Sequence, residues 1–140
     1  MITLRTYRQH VETASVYWFP FIREAKRTNL NNLQGRHITD TDYFSAVVIN
    51  CILDEIELIL DKKLINTKSQ KLKFEFSNAQ GIVLYKTLLH LPLPKDQPYF
   101  NQLRMEWLAA LDQELIYLGI YETNRIQKQQ SCESTFDYNY

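Results

Sequence analysis

Glycine, proline, cysteine and histidine are all scarce in these 140 residues, at three, four, two and three copies, and each scarcity closes off a class of architecture or chemistry. Gly35, Gly81 and Gly119 stand alone, so the chain holds neither a P-loop nor a dinucleotide fingerprint, both of which need clustered glycines at the start of a helix. Few glycines and prolines beside 45% hydrophobic residues also argue against wholesale disorder. The cysteines differ in setting: Cys51 lies in an apolar run and Cys132 in a polar tail. Both are expected to be free thiols in a reducing compartment. Cys51 is expected to be buried and therefore unreactive. His10, His37 and His90 are isolated, without HExxH, Glu-x-x-His or CxxC spacing, so no metal site and no cofactor are expected. No GxSxG or paired Cys–His pattern points to nucleophilic catalysis, and the chain is expected not to be an enzyme.

Charge of one sign is also lacking, with sixteen basic residues against sixteen acidic ones. That balance removes the global argument for nucleic acid or an anionic membrane as main partner. No stretch of about 18 uncharged apolar residues occurs, and MITLRTYRQHVETA has no apolar signal core, so a cytoplasmic protein is expected.

What the chain does have is helical periodicity. Asp42 to Ile65 is apolar through its middle, Ala46 to Leu53, except at Asn50, and a helix apolar on nearly all sides is expected to be enclosed by its neighbours. Thr39 is the expected N-cap, with Asp40 and Asp42 complementing the dipole. Asn50, Asp54, Glu57 and Asp61 fall at steps of four, three and four and form its polar seam, expected to be solvated or paired with the basic connector that follows. Upstream, Leu4, Tyr7, Val11, Ala14, Trp18, Phe21 and Ala25 alternate steps of three and four, predicting a first helix over about 3–27 that kinks or divides at Pro20. NLNNLQGRH reads as a loop.

Leu72, Phe74 and Phe76 alternate with Lys73 and Glu75, a period-two segment over about 71–77 that needs a pairing partner. Ser77 and Gln80 have capping-box spacing and start a third helix running to about His90, with Ile82, Tyr85, Leu88 and Leu89 as its expected buried face. Asp96 is the expected cap of a fourth helix bearing Phe100, Leu103, Trp107, Leu111, Leu115 and Leu118, closed by Gly119. The fold class expected is mainly α, a single-domain four-helix bundle-like fold with one short extended segment. It spans 1–122, followed by a polar, flexible C-terminal tail over 123–140.

Charge segregates along the chain. Residues 41–61 carry five acidic and no basic side chains, and 62–95 carry seven basic and one acidic, a pattern that favours complementarity within or between molecules. Two interaction surfaces follow. Tyr17, Phe19, Phe74 and Phe76, with the late aromatics Phe136, Tyr138 and Tyr140, are candidates for binding another protein or a second copy, since aromatics commonly anchor interfaces; Phe19, off the helical stripe, is the expected surface residue. Lys62, Lys63, Lys68, Lys71 and Lys73, ahead of Phe74 and Phe76, are the alternative, cations and rings suited to nucleic acid. The leading expectation is a protein-interaction or assembly module.

Overall fold

The computed structural model describes residues 1–37, 39–92 and 97–119. In order these form β1 (Ile2–Tyr7), α1 (Arg8–Thr13), a π-helical turn (Ala14–Trp18), α2 (Phe19–Asn32), α3 (Thr41–Asn66), β2 (Lys71–Phe76), α4 (Asn78–Leu89) and α5 (Pro98–Tyr117). The protein is mainly helical with one small antiparallel sheet. The tail and Asp96 lie outside the described residues.

The sheet supplies the partner that Lys71–Phe76 requires, and it corrects the first expected element. Residues 2–7 are a strand, paired antiparallel from Ile2 opposite Phe76 to Tyr7 opposite Lys71; the N–H of Arg8 extends the ladder to the Gln70 carbonyl at 2.8 Å. Ile2 and Leu4 face inward beside Leu72, Phe74 and Phe76, all buried. Thr3, Arg5 and Tyr7 also obey a period of two, and with an unpaired strand available, ladder pairing outweighs the helical stripe. α5 covers the free edge of β1. Glu114 Oε1 accepts from the Thr3 N–H at 2.8 Å, which satisfies one outward backbone group of that edge internally, and Trp107 Nε1 donates to Thr6 Oγ1 at 3.1 Å.

Pro20 divides the second expected feature. It is the second residue of α2, directly after the π turn, so the helical path continues through it and the N–H it lacks is a bond missing from that path. The helical path upstream widens into a π turn, a device that reconciles two helical registers. The stripe shifts with it: Phe19 and Ile22 are buried while Phe21 is exposed. α2 continues to Asn32, beyond the expected end at about Arg27, and Gly35 at φ +91° closes the turn after it.

α3 touches α1, α2, α4 and β2. Asp40, not Thr39, caps it, its carboxylate accepting from the N–H groups of Asp42 and Tyr43 at 3.1 Å each. Ala46, Asn50, Leu53, Ile56 and Leu60 form its buried stripe. The expectation of a helix enclosed by its neighbours is wrong, because the face opposite this stripe is exposed along its length. The Ser77–Gln80 capping box of α4 is formed in both directions. Its buried face is Gly81, Leu84 and Leu88, while Ile82 and Leu89 are exposed, a rotation that follows from the close seat of Gly81 on Ile2. Trp18 and Trp107, edge to face with centroids 5.2 Å apart, join the π turn to α5 in the core.

Candidate interaction surface

The face of α3 turned away from its buried stripe carries Phe44, Val48, Cys51, Glu55, Leu58, Lys62 and Ile65, at steps of four and three throughout. That is the spacing of a coiled-coil seam. All seven are exposed; Phe44, Val48, Leu58 and Ile65 retain 54%, 38%, 53% and 79% of their accessible surface. Single exposed apolar residues are ordinary, but five in a row of seven along one face of a 26-residue helix make this face the candidate interaction surface. Cys51 belongs to this row and is exposed, contrary to the expectation from the apolar run around it. Glu55 and Lys62 are the only charges in the seam. Glu55 is held by Gln80, whose Nε2 donates to its Oε1 at 2.9 Å.

Of the partner-binding residues expected from sequence, Phe19, Phe74 and Phe76 are buried in the core. Phe74 and Phe76 fill the inner sheet face, and Phe19 is carried inward by the π turn. They present no surface. Tyr17 is half exposed. It stands at one end of a row of rings, packed on Phe100 at 4.8 Å; Phe100 meets Tyr99 at 5.9 Å, Tyr99 meets His10 at 6.4 Å, and His10 meets Tyr7 at 5.6 Å.

Tyr7 leads onto the outer face of the sheet, where the cations of the alternative surface gather in part. Lys71 and Lys73 are exposed on β2; Lys73 lies directly opposite Arg5, and Lys71 opposite Tyr7. These residues line a groove of about 350 Å³. Lys63 lies 5.9 Å over the Phe74 ring and shares a second groove with Lys73. Lys62 and Lys68 are exposed apart from this group, Lys62 in the α3 seam and Lys68 in the connector. Arg5 joins the basic face although the sequence pattern placed it in a helix.

Of the polar seam of α3, Glu57 and Asp54 pair with α2 and not with the basic connector, Arg23 bonding Glu57 and Lys26 Nζ bonding Asp54 Oδ1 at 2.5 Å, while Asp61 is exposed and Asn50 is buried. Among the described residues no group of three or more His, Cys, Asp or Glu side chains is placed to hold a metal ion, and no helix is long and apolar enough to cross a membrane. Compared with protein-family models, curated proteins and solved structures, the chain matches none.

Proposed function

We propose that this protein is a non-enzymatic, cytoplasmic interaction and assembly module whose outer α3 face pairs with the same face of a second copy. The single observation supporting it is the exposed row 44–48–51–55–58–62–65, apolar at five of seven positions. The polar pair selects the occupant and the direction. Glu55 and Lys62 stand one heptad apart, so a two-fold axis midway between them sets each glutamate opposite the partner's Lys62 in an antiparallel pair, an isologous contact. A parallel pair would oppose Glu55 to Glu55 and Lys62 to Lys62, which like-charge repulsion disfavours. The four long helical stretches, α1 continuing through the π turn into α2, then α3, α4 and α5, are read as a bundle-like frame presenting α3 at its surface.

Light scattering at tens of micromolar tests the reading. The wild-type chain is expected at twice 16.7 kDa, and Leu58→Glu at the monomer mass with an unchanged circular dichroism spectrum. A monomeric wild type overturns self-association.

A second reading is favoured by the row of rings ending at Tyr7 beside Arg5, Lys71 and Lys73: cations for phosphates next to rings on which bases stack. It makes the protein a nucleic-acid-associated accessory factor. Anisotropy of a labelled single-stranded oligonucleotide is expected to rise at low salt and to fall with Lys71→Glu and Lys73→Glu; no rise at low salt retires it.

A further inference from the structure

The edge of β1 lies against α5, whereas the far edge of β2 is open. Thr3 sends its N–H to Glu114, away from β2, so Glu75, paired opposite Thr3, points its own N–H and C=O out of the other side of the sheet. Lys73 and Lys71 repeat this at steps of two. Both groups of Lys71 are taken up by Ser69, whose Oγ accepts from the Lys71 N–H at 3.3 Å and donates to the Lys71 carbonyl at 2.9 Å. Ser77 closes the other end, its N–H donating to Gln80 Oε1 and its carbonyl accepting from the Gly81 N–H, each at 2.9 Å. Between these two serines the outward N–H and C=O groups of Lys73 and Glu75 have no partner among the described residues.

A groove of about 400 Å³ lies beside this gap, lined by Ile59 and Lys63 of α3 and by Lys73, Phe74 and Glu75. Sheets cover or blunt such an edge, or use it to take up another strand. Two residues of an added strand would bond Lys73 and Glu75, their side chains on the outer face among Lys71 and Lys73, and the residue between them would point over the groove at Ile59. The edge therefore selects polar and acidic residues at the two bonded positions and an apolar one between them. The β2 strand of a second copy fits poorly, because it brings Lys63, Lys71 and Lys73 of both molecules together.

We propose that the occupant is the chain's own segment Thr135, Phe136 and Asp137, which lies outside the described residues and adds to β2 as a third strand. Its sequence has the required alternation, and Glu133 and Asp137 are the only charged side chains after Lys128, opposite in sign to the lysines at the edge. Fifteen residues separate the segment from Gly119, a reach of about 50 Å when extended, against a sheet two strands wide at about 5 Å per strand. Thr135 and Asp137 exchange N–H···O=C bonds with Lys73 and Glu75, Phe136 covers Ile59, and Asp137 stands among the outer cations. Either strand direction leaves these facings unchanged. None of these positions belongs to the row 44–65 on which the assembly reading rests.

Amide hydrogen exchange of the ¹⁵N-labelled full chain tests the proposal. The Lys73 and Glu75 amides are expected to exchange about tenfold more slowly in the wild type than in Asp137→Pro, which removes a bonding N–H and the carboxylate, as for an edge that opens locally. Phe136→Ser, which keeps every backbone group, is expected to lose part of that protection, and the wild type is expected to show a nuclear Overhauser contact between the Phe136 ring and the Ile59 methyl groups. Exchange at these two amides that is equally fast in the wild type and Asp137→Pro, no contact between Phe136 and Ile59, or protection that grows with protein concentration, which would mean that another molecule supplies the strand, would each overturn the proposal.

Discussion

Gly81 and Ile2 approach so closely that a Cβ on residue 81 would stand 2.3 Å from Ile2 Cδ1 and 3.1 Å from both Ile2 Cβ and Cγ2. The contact joins the first turn of α4 to the first residue of β1, and Ile2 is fully buried. Two effects compete in Gly81→Ala. Alanine favours the helix by about 1 kcal/mol, while overpacking a full core costs about 1–3 kcal/mol. Swinging Cδ1 aside relieves only one of the three contacts, so the clash wins. Gly81→Ala is expected to lose about 1 kcal/mol or more in urea denaturation, and the loss is expected to shrink in an Ile2→Val background, where Cδ1 is gone. An additive double mutant would mean the two residues do not meet.

Helix α3 depends on its acidic cap. The N–H of Tyr43 is the main influence holding the Asp40 carboxyl below its ordinary value of 3.8, with Arg36 and the N–H of Asp42 assisting. Because the folded value is the lower one, the carboxylate's contribution is complete above the ordinary value and is lost as pH falls through the folded one. Stability measured from pH 5 downward is therefore expected to decline less steeply in Asp40→Asn, which keeps an oxygen for the two N–H groups but cannot take up a proton. An identical acid slope in the two proteins would show that Asp40 is not a cap.

Whether a feature is legible in the amino-acid sequence depends on how local its signal is. The capping box at Ser77, the closure at Gly119 and the extents of α3 and α5 are readable there, since each is decided within a turn or two of chain. β1 is not readable as a strand. Leu4 fits both a helical stripe, with Tyr7, and an alternating strand, with Ile2, and what decides is β2, some seventy residues away. Phe19 is misplaced for a related reason: a helical wheel assumes an unbroken register, and the π turn before Pro20 displaces it. α3 marks a limit of composition. A helix apolar all round is consistent with full burial and with one buried face plus one docking face, and the two differ only in how many neighbours the chain can bring. Asn50 is visible as the interruption in an apolar run, but its burial is not.

The outer face of the sheet carries a cost that can be measured. Thr3 donates its N–H to Glu114 and Arg8 donates into the ladder, which makes the odd-numbered residues of β1 members of the non-hydrogen-bonded pairs, where facing side chains lie closest. Arg5 and Lys73 are such a pair, and like charges there are unfavourable by a few tenths of a kcal/mol up to about 1. Lys73→Thr removes the repulsion and installs a residue with better strand propensity. It is expected to raise the melting temperature at low salt, with the gain shrinking as salt screens the wild-type repulsion. A lower melting temperature would mean that the Lys73–Glu75 contact at 3.4 Å matters more than the cross-strand one.

The direction of the α3 pairing is open to a chemical test, because its seam already contains a thiol. With a two-fold axis midway between Glu55 and Lys62, Cys51 falls opposite the partner's Asn66, about 22 Å along the axis from the partner's Cys51. Leu58 lies beside the axis and faces its own copy. A disulfide needs Cα atoms within roughly 7 Å. Oxidation of Cys132→Ser, which leaves Cys51 as the sole thiol, is therefore expected to give no covalent dimer. Oxidation of Leu58→Cys in a Cys51→Ser, Cys132→Ser background is expected to give one rapidly, on non-reducing gels at a concentration where light scattering detects the dimer. A parallel pair would crosslink in both experiments, since every position then faces its own copy. Crosslinking in neither would place the dimer contact, where scattering detects one, on some face other than the outer side of α3.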